Sequence, residues 1–370
     1  MKIVRPIIVT DINLTTSNIT TPEAGTTAYS SGTTYALNDR VTFEMPSIQV
    51  TISNADPAVF TTVSVHELAV GTLVSFTTTG TLPTGLTVGY QYIITSKTAY
   101  TFTVALASNS TKIIIRTSSA GSGTHTCAIH NHKTYLSLQA SNLANSPRLA
   151  ASAAWWQEEG STNRYKMFDG SVSSQTIGST ISIKITFGGQ GLMDTLALLN
   201  IAGTSCVVKV WDTAEAIYVY NQTHSLIVSG VTPQETVSDL LLVDMASPTT
   251  GAGWLEVALS DADSTKMCAI GALLCGMAVD AGTTQSGIDT GIQDFSVIEA
   301  DDFGNYSVTE RAYSKTASWK AKVTLANVPR IHRILTEQRA KKCLYIGNDT
   351  DTTTAVYGFP DDWTFVRNDD

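Results

Sequence analysis

Short segments rich in β-branched and aromatic residues recur along this chain, and turn residues separate each segment from the next. Residues 181–187 (ISIKITF) alternate strictly between apolar and polar side chains, which is the period of a strand with one buried face. Residues 207–211 and 254–259 are further strand candidates. Helical spacing of apolar residues is nearly absent outside residues 328–335. The sequence therefore predicts an all-β protein of several small sandwich-like or barrel-like domains in tandem, with an inserted β-domain and one C-terminal helix.

The predicted helix has a start signal and one apolar side. Asn327 can cap it, and Pro329 fits its first turn. The apolar residues that share one side are Val328, Ile331, Ile334 and Leu335. Five cations lie on the helix or just after it: Arg330, Arg333, Arg339, Lys341 and Lys342. A solvated helix face, with cations favoured near the C-terminal end of the helix dipole, explains them. Contact with an acidic neighbouring subunit is the alternative.

The domain organisation follows from length and composition. A chain of 370 residues is too long for one ordinary core, so we expect several domains. Residues 48–128 are rich in Ser and Thr and have strands and turns of their own, which predicts an insertion. The predicted parts are an N-terminal arm or linker (1–27), a split domain (28–47 plus 129–160), the inserted β-domain (48–128), a β-sandwich (161–277) and an α+β domain (278–370).

Four aromatic residues of the split domain are candidate ligand contacts: Tyr29, Tyr35, Trp155 and Trp156. A pyranose ring presents an apolar C–H face that stacks on phenol or indole, while its hydroxyl groups need polar partners. Packing in the core is the competing interpretation for each ring. Adjacent residues of a strand face opposite sides, so we expect at most one of the two tryptophans to stack on the core.

The two segments of the split domain resemble a known family. Residues 28–43 (AYSSGTTYALNDRVTF) and 135–157 (YLSLQASNLANSPRLAASAAWWQ), taken together, resemble the small chitin-binding type of carbohydrate module. That family has a Tyr-x-x-Gly-Asp-x-Val segment, a Tyr-x-Ala/Ser strand and a final Trp; here Asn38-Asp39 stands in place of Gly-Asp. The resemblance implies that the four aromatic residues contact a glycan.

Other segments resemble tail proteins of tailed bacteriophages. Residues 66–126 are similar to small β-domains inserted in tail and fibre proteins, and residues 162–176 (TNRYKMFDGSVSSQT) resemble a signature of minor tail proteins with a carbohydrate module. Residues 168–170, entering the sandwich, resemble jelly-roll carbohydrate modules, and residues 270–359 resemble the C-terminal half of the same tail proteins. The resemblance implies a virion protein of the tail tip, baseplate or fibre attachment, assembled in the host cytoplasm. Its implied partners are other tail or baseplate proteins, further copies of itself and host surface glycans.

Charge and cysteine content limit the function classes. The net charge of −9 argues against binding to nucleic-acid phosphates, which needs clustered Lys and Arg. No apolar run reaches membrane-spanning length, and the first residues lack a signal-peptide pattern, so we expect no membrane insertion and synthesis in a reducing cytoplasm. The five cysteines, mostly within apolar runs, are expected to be buried free thiols.

No catalytic, metal or cofactor motif is found in the sequence. The acidic pairs Asp301-Asp302 and Asp361-Asp362 are adjacent residues whose side chains diverge, so we interpret them as turn residues. His130-Asn131-His132 has the letters of a nuclease motif without its context, and a polar strand edge is the favoured interpretation. We expect a non-enzymatic protein without metal or cofactor. Two alternatives stay open: a purely structural tail adaptor without sugar binding, and a polysaccharide- or peptidoglycan-degrading tail enzyme.

Overall fold

The structure is a computed structural model and describes residues 1–108, 113–187, 192–300, 302–311 and 313–363. Strands dominate, and the described residues contain one α-helix, near the C-terminus. The predicted all-β class with a single C-terminal helix is confirmed. Asp301, one of the residues interpreted as a turn carboxylate, lies outside the described residues.

The first five strands belong to different sheets. They are β1 (Lys2–Val4), β2 (Leu14–Ser17), β3 (Thr27–Ala28), β4 (Thr34–Tyr35) and β5 (Arg40–Phe43). The strands β3, β4 and β5 lie in a small module, whereas β1 and β2 each join a sheet built from much later residues. The segment 1–27, predicted as an arm or linker, therefore contributes strands to two sheets.

A closed six-stranded barrel follows. Its strands are β6 (Ile48–Ile52), β7 (Phe60–Thr62), β8 (Leu73–Thr78), β9 (Tyr92–Lys97), β10 (Thr101–Leu106) and β11 (His125–His130), in the spatial order β10-β7-β6-β11-β8-β9. Inside the barrel, Phe60 stacks on Phe76 and on Phe102 with ring centroids 4.7 and 5.3 Å apart. Large buried rings fill the interior, so the barrel is a packed core and not a pore.

Three further strands complete the small module: β12 (Lys133–Ser137), β13 (Asn142–Leu143) and β14 (Trp156–Ser161). They form the sheet β14-β12-β5-β3 and the pair β13-β4 with strands from before the barrel. Phe43 and Lys133 are direct cross-strand partners, so the chain leaves for the barrel and returns from it at neighbouring positions. We call residues 27–43 and 133–161 the split module.

A β-sandwich is built from β15 (Thr176–Gly178), β16 (Ile181–Thr186), β17 (Thr195–Ala202), β18 (Ser205–Asp212), β19 (Ile217–Ser225), β20 (Asp239–Leu242), β21 (Gly253–Ser260) and β22 (Cys268–Gly276). Its sheets have the orders β19-β18-β21-β16-β2 and β15-β22-β17-β20 and share one core. Ile181, Ile183 and Ile185 all point into that core, as the strict alternation predicts.

The C-terminal strands are β23 (Ala278–Asp280), β24 (Thr283–Thr284), β25 (Asp289–Asp294), β26 (Val297–Ala300), β27 (Tyr306–Thr309), β28 (Tyr313–Ser318), β29 (Ala321–Lys322), β30 (Cys343–Ile346) and β31 (Ala355–Gly358). The sheet β23-β1-β30-β31 packs on the second face of β22 and β17. Every residue of β22 is buried, because this strand has a protein layer on both sides.

The helix α1 (Val328–Gln338) covers the outer face of the same sheet. Ile331 and Leu335 pack there with Ile3 and Tyr345, which alternate with inward-facing neighbours on β1 and β30. Pro329 lies in the first turn, as predicted, but Asn327 makes no side-chain cap. Asn327 has helical dihedral angles at the end of the 3-10 turn Leu325–Asn327, a conformation in which the side chain does not reach back to the helix. The other 3-10 turns of the described residues are Ala150–Ser152, Lys166–Phe168 and Thr352–Thr354.

Candidate functional site

An open cleft of about 700 Å³ lies beside the split module. The aromatic residues Tyr29 and Phe43 line it, together with the polar residues Ser30, Thr42 and Glu44. An aromatic ring next to several hydrogen-bonding groups is the combination that a sugar requires. Of the four aromatic residues predicted from the sequence, Tyr29 belongs to the described lining of this cleft.

A tight turn at residues 36–39 connects β4 to β5, and β5 pairs with β3, the strand just before Tyr29. Asn38 has a positive φ of 71°, a conformation that Asn and Gly adopt more readily than other residues, which explains why Asn can stand where the family has Gly. The Asp39 carboxylate accepts a hydrogen bond from the Ala36 amide at 2.7 Å and closes the turn. The amide of Tyr29 then donates to the carbonyl of Thr42 at 2.9 Å, which fixes its position at the start of the cleft.

Tyr35 and Trp156 belong to the core of the split module. Their side chains are only 4% and 5% exposed, and their rings meet edge to face at 5.3 Å. The polar atom of each is used inside the module, since the Tyr35 hydroxyl accepts from the Ser30 amide and the Trp156 indole donates to the Asn145 carbonyl. Both residues therefore stabilise the fold and present no face to a ligand in this conformation.

Tyr29 and Trp155 are half-buried. The Tyr29 ring stacks on Tyr35 with centroids 5.9 Å apart and meets Phe43 and Trp156 edge to face. Its hydroxyl is buried and has no hydrogen-bond partner among the described residues, and burial raises its pKa. The exposed part of Tyr29 is therefore not its hydroxyl. Trp155 packs on the edge of the module core, outside the described lining of the cleft.

A second cluster, which we call the polar junction, consists of Asp11, Glu44, His130, His132 and Tyr165. Oδ2 of Asp11 lies 3.0 Å from Nδ1 of His130 and 2.7 Å from Nε2 of His132. Oδ1 of the same carboxylate accepts a hydrogen bond from the Tyr165 hydroxyl at 2.5 Å. The imidazole of His132 stacks on the Tyr165 ring, with centroids 3.9 Å apart. The junction ties the N-terminal segment to the barrel, to the links between the barrel and the split module (Glu44 and His132), and to the segment that leads into the sandwich.

In the polar junction, Asp11 and His132 each favour the charged form of the other. Both ring nitrogens of His132 face carboxylates, since Nδ1 lies 3.1 Å from Glu44, and carboxylates only accept hydrogen bonds. Burial lowers the pKa of His132, but the contacts with Asp11 and Glu44 outweigh it and raise this pKa to about 9. Burial acts to raise the pKa of Asp11, but hydrogen bonds from His130, His132 and Tyr165 hold it well below its usual range. At neutral pH, protonated His132 is thus paired with the ionised carboxylates of Asp11 and Glu44.

The sequence favoured a polar strand edge for His130 and His132. The structure places both in the polar junction, where their side chains are 4% and 11% exposed and one carboxylate lies between them. Asp11 lies 119 and 121 positions from the two histidines and 154 positions from Tyr165, so no local pattern indicates these contacts. No grouping of three or more metal-ligating side chains suitable for an ion is present within the described ranges.

Comparison of the chain with known protein families and with curated proteins gives no match. No protein-family description matches it. No curated protein is significantly similar to it. In the part of the chain that the structure describes, no helix has the length and apolar character needed to cross a membrane.

Proposed function

We propose that this protein is a structural component of a bacteriophage tail, at the tail tip, baseplate or fibre attachment, whose split module binds host surface glycans. The observation that carries glycan binding is the cleft of about 700 Å³ in which the half-buried Tyr29 lies among hydrogen-bonding groups. The resemblance of the split module to chitin-binding modules supports the same ligand class. In this proposal the protein acts by assembly and adhesion and not by catalysis, and it is assembled in the host cytoplasm.

Tyr29 is the central contact of the proposed glycan site, and it replaces the four-residue platform expected from the sequence. With Tyr35 and Trp156 in the core, the cleft has one predicted aromatic ring, supplemented by Phe43. A site of this size binds one or two sugar units weakly. Several copies on one particle convert such weak binding into useful avidity.

The direct test measures binding of the purified protein to N-acetylglucosamine oligomers and to an array of bacterial surface glycans. We expect binding by the native protein and loss of binding in Tyr29→Ala. Tyr100→Ala is the matched control, because Tyr100 is an exposed tyrosine of the barrel. A native protein that binds no glycan on the array, or a Tyr29→Ala variant that binds as well as the native chain, would contradict the glycan site.

The virion assignment has a separate test. A cryo-EM reconstruction of purified particles, at a resolution that allows the sequence to be traced, places the chain in the tail or shows that the particle lacks it. Absence from the particle would overturn the assignment whatever the glycan result.

A structural adaptor without sugar binding is the second candidate function. The burial of Tyr35 and Trp156, with their polar atoms bonded inside the module, favours it. In that case Tyr29 would be covered by a neighbouring subunit in the reconstruction, and the glycan array would be negative. A solvent-facing Tyr29 with bound glycan density would exclude the adaptor.

A further inference from the structure

A long two-stranded ribbon projects from the C-terminal region, and we call residues 289–318 the β-arm. Asp289 to Asp294 pair with Tyr313 to Ser318, and two residues further on Val297 to Ala300 pair with Tyr306 to Thr309. At about 3.4 Å per residue, the two paired segments are about 20 and about 14 Å long. Nearly every described residue of β25, β26 and β27 is exposed, so no other layer covers the outer part of the arm.

The outer part of the β-arm has one apolar face. Ile298 lies opposite Val308 and Ala300 lies opposite Tyr306, and residues directly opposite each other in a ribbon share a face. The side chains of Ile298, Tyr306 and Val308 are 65%, 74% and 64% exposed. The other face presents Val297, Glu299, Ser307 and Thr309. An isolated two-stranded ribbon is marginally stable in water, and a contiguous exposed apolar face marks an interaction surface.

The β-arm is strongly acidic. It contains the carboxylates Asp289, Asp294, Glu299, Asp301, Asp302 and Glu310 and two cations, Arg311 and Lys315. Lys315 forms an ion pair with Asp239 of the sandwich and so holds the base of the arm on the body of the protein. Two arms brought together would therefore repel each other, and the arm favours a basic partner surface.

A cleft beside α1 has the complementary character. It has a volume of about 840 Å³, and the apolar residues Ile3, Ile7, Val279 and Ile334 are among those that line it. Four cations also line it: Arg5, Arg339, Lys341 and Lys342. The exposed side of α1 adds Arg330 and Arg333, so residues 328–342 carry five cations and one carboxylate, Glu337. This volume accepts several side chains but not a whole ribbon.

We infer that the apolar face of the β-arm of one copy docks on the basic cleft beside α1 of a second copy. Ile298, Tyr306 and Val308 lie against the apolar floor of the cleft. Carboxylates at the ends of this face, Asp302 and Glu310, lie near its cations. The two surfaces are different patches of the chain, so the contact is head-to-tail and generates a ring or an open chain of copies. This contact depends neither on glycan binding nor on the virion assignment.

The contact is tested by the oligomeric state of the purified protein in sedimentation velocity and native mass spectrometry. We expect oligomers for the native chain at micromolar concentration, and weaker association as salt is raised. The variant Ile298→Asn/Val308→Asn should weaken association at least about tenfold, because it removes the central apolar contacts. Val297→Asn/Thr309→Asn is the matched control, since this cross-strand pair lies on the opposite face of the same ribbon. Unchanged melting temperatures show that each variant is folded.

Complementation identifies the partner surface. Arg339→Glu should also give monomers, because it reverses a charge at the cleft. A mixture of Arg339→Glu with Ile298→Asn/Val308→Asn should form a one-to-one complex, since one copy keeps an intact arm and the other an intact cleft. A monomeric native protein, an arm variant that associates like the control, or a mixture that stays monomeric would each overturn the inference. Association through arm-to-arm pairing would instead leave Arg339→Glu oligomeric, and that result would also overturn the inference.

Discussion

Nε2 of His132 lies 2.7 Å from Oδ2 of Asp11, although 121 positions separate the two residues in the sequence. The contact joins the N-terminal segment to the link between β11 of the barrel and β12 of the split module, and the stack of His132 on Tyr165 extends it toward the sandwich. Paired and partly buried charges of this kind make the junction between these parts sensitive to pH.

Alkaline pH is expected to weaken the protein through His132. The folded pKa of about 9 lies above the ordinary value of 6.5, so protonated His132 stabilises the fold fully below pH 6.5. The contribution declines as pH rises through about 9, by about 2 to 3 kcal/mol after allowance for the exposure of Asp11. Chemical denaturation at pH 6 and pH 10 measures it. His132→Asn should remove most of this difference, and an equal pH effect in that variant would contradict the assignment.

Acid pH should act through Asp11. Its folded pKa is depressed, so the stabilisation is present above the ordinary pKa of an aspartate and is lost as pH falls below it. Asp11→Asn should cost about 1 to 2 kcal/mol at pH 7, because the carboxylate accepts from three side chains but remains partly exposed. Urea titrations at pH 7 and pH 3 test this. The difference in the free energy of unfolding between native protein and variant should be smaller at pH 3 than at pH 7. A larger difference at pH 3 would exclude the mechanism.

Two conservative substitutions in the split module should have opposite effects on stability. Tyr29→Phe removes a buried hydroxyl without a partner among the described residues and should stabilise the protein by about 1 kcal/mol. Tyr35→Phe removes a hydroxyl that accepts from the Ser30 amide at 2.7 Å and should destabilise it by about 1 kcal/mol. Thermal unfolding of both variants measures the difference. Equal shifts of the same sign would show that the Tyr29 hydroxyl has a partner in solution.

Gly271 is expected to tolerate no side chain. A Cβ at this position would press on the backbone oxygen of Val172 and lie 2.8 Å from Cβ of Asn200, in a strand covered on both sides. Gly271→Ala should therefore destabilise the protein by about 2 to 3 kcal/mol. Gly251→Ala is the control, because its Cβ would meet nothing within 4 Å. Denaturant midpoints compare the two, and a Gly271→Ala midpoint equal to that of Gly251→Ala would contradict the packing.

The cysteines should be unreactive in the folded protein. All five are buried and free, as the sequence predicts. Burial raises the pKa of Cys127, Cys206 and Cys275 to about 12, so at pH 8 only about one in 10⁴ of these groups is a thiolate. A colorimetric thiol reagent should detect five groups in denaturant and almost none in the native state. Rapid native labelling of one thiol would show local opening at that site.

The predictions that depended on the apolar period of a single element agree with the structure. The alternation of residues 181–187 placed Ile181, Ile183 and Ile185 on one buried face, and the helical spacing placed Ile331 and Leu335 against the sheet. In each case a single element repeats with its own period, so the sequence of that element contains the information. The apolar run of β22 predicts a strand but not the number of layers that cover it.

By itself, the sequence determined the all-β class, the single helix, the buried cysteines and the faces of the regular strands, because these depend on residue type and local period. Only the tertiary structure decided that β1 pairs with β30, that Asp11 meets His130 and His132, and that Tyr35 and Trp156 are core while Tyr29 lines a cleft. Each of these depends on which distant segments pack together. Which segments pack together depends on the combined burial of many residues across the chain, so it cannot be predicted from any single segment.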